Sequence, residues 1–454
     1  MSESQTLSVA QLQAHIDTLS TAIEAQKLVL NDLMTRRSEF HRRLNAFLDP
    51  MTRLPFEIQC LVFLQVPADD AEDYPPKPAP SSPPMALLNV CRLWRDIALS
   101  TPELWAKLQM NSLPRGPNFS ELCKLWLGRA HTLPLSLMLT GSSRLEQSVQ
   151  DLMTQYGPRL EGLTLRLSFE ETERPYVSWA RDAGSLSSMK TLSIDPTDNE
   201  PYYGDMREWL GLLRDAPALS RCTLSNVFYE QGGDGDGDFN SLTLASLRIL
   251  RLGKPHANDA LNFLNDRGSS SVIMLRYLTL PALTTLTVSE LDITNEEFLS
   301  FLLRSSPPLE SVEMTFSYQN SWPNSVVSRC LRLMPMLTTL DLFALPRRYG
   351  VLSGPFLPFI EVLSTSHDVV PKLRQLIFRT DIPVTVHYDE LLCMLQFRRL
   401  APCPTPLERF ELRFIEYSNH DYSSDMPPED VRLGLRHLTM HGLKIHIGHT
   451  QNLV

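Results

Sequence analysis

A chain of 454 residues exceeds the about 100 to 200 residues of one compact domain, so at least two units are expected. Hydrophobic residues at 43% and charged residues at 21% match soluble globular averages and exclude wholesale disorder. A formal net charge of -10 supplies no broad positive field, which excludes a general phosphate-backbone binder.

The seven cysteines, scattered from Cys60 to Cys403, lack the paired spacing of a metal site. No N-terminal apolar stretch resembles a secretory signal, and no apolar run approaches the ~20 residues of a membrane span. The expectation is a soluble cytoplasmic and/or nuclear protein in reducing surroundings, with neither a membrane nor a nucleic acid as partner. The basic cluster Arg36, Arg37, Arg42 and Arg43 lies beside Phe40 and Leu44 and reads as the solvated face of a helix.

From Val9 the apolar residues step by alternating threes and fours through Leu12, Ile16, Leu19, Ile23, Leu30, Leu33, Phe40, Leu44 and Phe47. This heptad seam predicts a coiled-coil-like helix within residues 1–49, ended by Pro50. Gln26 and Arg37 occupy the two seam positions that break it. Such a helix either pairs with another helix, which leaves a homodimer open, or folds back on its own chain.

Leu54-Pro55-Phe56-Glu57-Ile58, continued by Leu61, Val62, Phe63 and Leu64, places a proline at the start of a helically spaced apolar run. Residues 66–84 then form a proline-rich insertion carrying Asp69, Asp70, Glu72 and Asp73, which reads as an exposed loop. Helical spacing resumes at Met85 and puts Leu87, Cys91 and Trp94 on one face, before Pro102-Glu103-Leu104-Trp105 closes the region.

One phrase, Leu-x-x-Leu-x-Leu with conservative swaps, dominates the remainder. It begins at Leu160, Met189, Leu219, Leu247, Leu283, Leu309, Leu337, Leu373, Leu407 and Leu435, at intervals of 26 to 36 residues. Leu133 to Leu139 reads as an atypical capping unit ahead of it. Helix-like stretches lie between phrases, at 206–214, 257–266, 295–304, 325–334 and 388–398. A strand plus a helix per unit cannot bury its own apolar face, so the units must stack, and an α/β solenoid is expected.

Taken together, Leu54-Pro55-x-Glu57-Ile58, Phe63, Val90-Cys91-x-x-Trp94-Arg95 and Pro102-x-Leu104-Trp105 resemble the F-box motif. Coupled to the repeats behind it, the pattern resembles F-box proteins with leucine-rich repeats. The resemblance implies three parts: the N-terminal helix (1–49), an all-α F-box module (50–108) and a leucine-rich-repeat domain (109–454). It also implies a non-catalytic subunit of a ubiquitin ligase, docked on a Skp-type adaptor and cullin core and recruiting a protein substrate. Leu54, Pro55, Ile58 and Leu61 would form the first docking edge; Val90, Cys91 and Trp94 would form the second. Two departures stand out: the insertion splits the motif, and the asparagine or cysteine usual eight residues after each repeat start is missing. The turns must therefore satisfy their backbone groups by other means.

Strand residues flanking the inward leucines point outward, which marks Arg166, Arg251, Glu313, Asp341, Phe343, Arg379, Glu411, Arg413 and His437 as candidate contacts for the substrate protein. No catalytic, cofactor or metal site is expected. Asp234-Gly235-Asp236-Gly237-Asp238 opens like a calcium loop, but Phe239 and Ala245 stand where glycine and a bidentate glutamate are needed. His437 and His441 have helical metal-pair spacing, yet the last repeat phrase places both on one strand, roughly 13 Å apart. Phosphate-loop, nucleophile-turn and dinucleotide motifs are all missing from the sequence. Paired carboxylates such as Glu170-Glu171 and Glu296-Glu297 read as surface charge at a loop or helix start.

Overall fold

A computed structural model describes residues 9–65, 83–111, 118–142, 154–168, 186–195, 202–204, 206–225, 227–230, 241–253, 268–288, 294–317, 322–345, 356–380, 387–400, 405–414 and 427–448. Most of the proline-rich insertion, the Asp234 to Asp238 run, the 257–266 stretch, Glu170-Glu171, Cys403 and His449 lie outside the described residues. The chain divides into two units: Met1–Asp70 with Pro83–Thr101, and Ala71–Ser82 with Pro102–Val454.

The first unit is helical. Helix α1 runs over Val9–Leu48 with no glycine or proline inside it, and intrahelical pairs Glu24–Lys27, Asp32–Arg36 and Glu39–Arg43 support it. Every seam residue from Leu12 to Phe47 is exposed, so the seam is not folded back onto the described chain. After a 3-10 turn at Pro50–Arg53 come α2 (Phe56–Leu64), α3 (Pro83–Leu88) and α4 (Arg92–Leu99).

The second unit is mixed α/β and contains a twelve-stranded parallel sheet. Its strands are β1 (Lys107–Asn111), β2 (Leu135–Ser142), β3 (Leu160–Ser168), β4 (Thr191–Ile194), β5 (Arg221–Leu224) and β6 (Ile249–Leu252), then β7 (Thr285–Val288), β8 (Ser311–Ser317), β9 (Thr339–Leu345), β10 (Gln375–Thr380), β11 (Arg409–Phe414) and β12 (Lys444–Gly448). They follow one another in chain order, with β1 and β12 at the two edges, so the sheet is not a closed barrel. From Leu160 to Leu407 each repeat phrase falls on a strand or runs into one. The Leu133 to Leu139 segment supplies β2, and β1 ahead of it was not expected.

Register explains why the phrase repeats. Leu137, Leu163, Leu192, Cys222, Leu250, Leu286, Val312, Leu340, Leu376 and Phe410 are aligned across neighbouring strands, and all are buried. A second buried row, two residues on, includes Leu165, Ile194, Leu224, Leu252, Val288, Met314, Leu342, Phe378 and Leu412. Burial pushes the Cys222 thiol up to about 12, which leaves it a neutral, well-packed member of the leucine row.

Helices supply the other layer: α5 (Asn118–Arg129), α6 (Met206–Asp215), α7 (Asn295–Ser305), α8 (Asn324–Arg332), α9 (Leu357–Thr365), α10 (Tyr388–Leu400) and α11 (Glu429–Met440). Phe356, at the start of α9, stacks 4.4 Å from Phe378 of β10, and Trp322 lies between Phe298 of α7 and Phe359 of α9 at 6.0 Å from each. α7 carries a capping box, Thr294 with Glu297, which accounts for Glu297.

The last repeat phrase is a correction. Leu435 lies in α11, not on a strand, because Pro428, Glu429 and Asp430 form a helix start and Val431, Leu435 and Leu438 fill one buried face. Leucines three apart satisfy a helix as well as the phrase. Gly442, at φ 88°, closes the helix and the edge strand β12 follows. His437 and His441 therefore sit a helical turn apart with ring centroids 4.3 Å from each other, not 13 Å, and His437 is not an outward strand residue.

The turns that lead into the strands are closed in two ways, while those that follow the strands, where the asparagine is missing, lie largely outside the described residues. A backbone chain links the N-terminal ends of successive strands: Lys190 donates to Glu161, Ser220 to Lys190, Arg248 to Ser220, and so on to Lys444 donating to Glu408 at 2.9 Å. Arginines take further carbonyls in these turns. Arg159 donates to the oxygens of Leu133 (2.8 Å) and Ala130 (3.5 Å), and Arg304 to those of Leu278 (2.9 Å) and Leu275 (2.6 Å). Arg398 does the same for Leu363 and Ser366.

Candidate protein-interaction surfaces

The first surface belongs to the helical unit. Asp49 organises it: Oδ1 accepts the Met51 N–H at 2.9 Å, and Oδ2 accepts the Trp94 indole N–H at 2.8 Å. Gln59, buried in a mostly apolar helix, donates to the Met51 and Leu54 carbonyls at 2.7 and 2.9 Å and so holds the Leu54-Pro55 corner. Phe63 packs against Trp94 with ring centroids 5.1 Å apart, while the Cys91 sulfur accepts the Trp94 N–H at 3.5 Å to cap α4.

What this small core leaves outside is the notable part. Helix α2 is apolar almost all round, yet it buries only Gln59 and Phe63. Phe56, Ile58, Leu61, Val62 and Leu64 are exposed, by 38% to 55% each. Leu54, Pro55 and Val90 are exposed as well, whereas Cys91 and Trp94 are half-buried and serve as framework. An apolar face this dense on a short helix gains from burial against another polypeptide. Sequence reasoning placed Phe56, Val62 and Leu64 in the helix but outside the docking edges; the signal was a helix with more apolar positions than one packed stripe requires. It also passed over Asp49, which stands as an N-cap before Pro50.

The second surface is the outward face of the sheet. Glu313, Asp341, Ile377 and Glu411 share one cross-strand row on β8 to β11, and Phe343, Arg379 and Arg413 share the row two residues on. These side chains largely satisfy one another. The Arg379 fork donates Nε to Asp341 at 2.7 Å and Nη2 to Glu313 at 2.7 Å, with a further contact to Asp341. Burial opposes the charge on Arg379, but its two carboxylates outweigh it and raise the pKa above the ordinary value. Glu411, buried, is held by Arg409 and by Arg413 at 2.6 Å; burial pulls its pKa up, and the two arginines bring it below the usual carboxylate range.

Arg166 and Arg251 stand elsewhere, on β3 and β6. The Arg251 side chain is exposed and makes no ion pair among the described residues, and Arg166 Nε is buried without a hydrogen-bond partner among them. Among the described residues, no group of three or more His, Cys, Asp or Glu side chains is placed to hold a metal, and no helix is long and apolar enough to cross a membrane. Compared with known proteins, the sequence matches no family model and no curated protein.

Proposed function

We propose that this chain is the substrate-recognition adaptor of a cullin-type ubiquitin ligase. In this reading the helical unit is an F-box that docks on a Skp-type adaptor, and the second unit is a leucine-rich-repeat solenoid that holds a target protein on its outward sheet face. The carrying observation is the exposed apolar surface of α2, fixed in place by Asp49 and Gln59 and continued by Leu54, Pro55 and Val90. Support for a solenoid comes from strands in chain order whose buried leucines align from unit to unit. The chain then needs no acid, base or nucleophile of its own, because holding a lysine beside an activated ubiquitin raises its effective concentration.

Leu61→Asp with Val90→Asp, both exposed positions, should abolish co-purification with the Skp-type adaptor and leave the far-UV circular dichroism unchanged. Undiminished co-purification of that folded variant sinks the reading. The exposed α1 seam favours a second reading, a ligase-independent scaffold joined through α1, in which the wild-type chain recovers no adaptor at all.

A further inference from the structure

The seam of α1 carries information about its partner. Written as heptads, its a positions are Ile16, Ile23, Leu30, Arg37 and Leu44, and its d positions are Leu12, Leu19, Gln26, Leu33, Phe40 and Phe47. That is about five heptads, beyond the three to four that define a coiled coil, and all of these side chains are exposed. We propose that α1 pairs with α1 of a second copy of this chain in antiparallel orientation, about a two-fold axis between Asn31 and Asp32.

Polar matching sets both orientation and register. In this register Gln26 faces Arg37 of the second copy, so the two polar layers meet each other and the amide oxygen can accept from the guanidinium. The remaining layers are apolar: Leu30 with Leu33, Ile23 with Phe40, Leu19 with Leu44, and Ile16 with Phe47. A parallel pair would instead close the seam on two Arg37 guanidinium groups. Sliding the antiparallel pair by one heptad fails too. One direction sets Arg37 against Leu19 and Gln26 against Leu30; the other sets Arg37 against Leu33 and Gln26 against Leu44, so either shift leaves every polar seam residue facing a leucine.

The flanks agree. Arg36, Arg43 and Lys27 are already neutralised within their own helix by Asp32 at 3.0 Å, Glu39 at 2.7 Å and Glu24 at 2.8 Å. In the proposed register Arg36 lies beside Val29 and Lys27 beside Met34, so their methylene stems cover two exposed apolar residues outside the seam. Leu48 of each copy then lies level with His15 of the other, which holds the two helical units at opposite ends, about 50 Å apart along the coil at 1.5 Å per residue.

Sedimentation equilibrium of the full chain tests the pairing by sign. Gln26→Glu places a carboxylate opposite Arg37 in both polar layers of the proposed register and should tighten the dimer about tenfold. In a parallel pair or a shifted register the new carboxylate meets its own copy or a leucine, so a weaker dimer overturns the proposal, as does a wild-type chain that stays monomeric at every concentration. Oxidising a mixture of Gln26→Cys and Arg37→Cys chains, followed by mass-spectrometric mapping, should yield the 26–37 disulfide; a 26–26 linkage overturns it. The pairing does not depend on adaptor docking, which the co-purification experiment scores separately.

Discussion

Arg379→Met should destabilise the sheet-bearing unit by about 3 kcal/mol near neutral pH, read from denaturant unfolding. Arg379 is one of the few buried charged residues, and its fork occupies the space between Glu313 and Asp341. Those carboxylates are directly opposite each other in the β8–β9 register, so removing the arginine leaves two like charges on facing positions. The pH dependence of the variant supplies the sharper test. Without Arg379 the two carboxylates acquire folded-state pKa values above their unfolded ones, the folded state binds more protons, and stability recovers as pH falls towards about 5. Arg379→Lys should recover only part of the loss, since an ammonium cannot bridge both carboxylates as a planar fork does. A variant as stable as wild type, or a loss unchanged by acidification, would remove Arg379 from this structural role. Replacing the exposed Arg251, by contrast, should shift stability by no more than about 0.5 kcal/mol, which makes it the cleaner probe of partner binding.

That contrast marks where sequence reading stopped. The alternation of Leu340, Asp341 and Leu342 reports which residues face inward, because burial of one sheet face imposes a period of two. The α1 seam was equally legible, since a heptad repeat is a local pattern. Failure came where one spacing serves two structures: Leu435 and Leu438 fit both the strand phrase and a helical turn, and only the Pro428-Glu429-Asp430 start decides between them. The helices α5 and α9 escaped notice because the periodicity is weak and proline at the start of α9 blurs the pattern. Pairing across strands lay further out of reach. That Arg379 is enclosed while Arg251 is exposed depends on Glu313 and Asp341, 66 and 38 residues away in sequence, arriving on adjacent strands. For the helical unit, Leu54, Ile58, Leu61 and Val90 came from the motif resemblance, yet the Asp49–Trp94 bond that positions them spans 45 residues and has no local signature.

Arg398→Met tests whether arginines hold the turns that lead into the strands, and here too a loss of about 3 kcal/mol is expected. Arg398 is 3% exposed, and it donates to the Leu363 carbonyl at 2.8 Å and the Ser366 carbonyl at 3.1 Å, closing the end of α9. Methionine preserves most of the stem's packing but leaves both carbonyls without these donors, at ~1–3 kcal/mol each when buried. A linked titration separates this from simple repacking. His367 stacks on Phe397 at 3.9 Å, its Nδ1 is buried without a hydrogen-bond partner among the described residues, and its pKa is lowered by burial and then by the Arg398 charge, with Asp368 opposing. A folded pKa below the unfolded one means that the unfolded state takes up the proton first, so stability is fully present above the unfolded histidine value of about 6.5 and declines as pH falls through it. Removing Arg398 deletes one of the two lowering influences, so the variant should be less stable at neutral pH yet show a shallower decline between about pH 7 and 5. An unchanged slope would mean that Arg398 does not act on His367, and unchanged stability at neutral pH would mean that the α9 carbonyls find other donors.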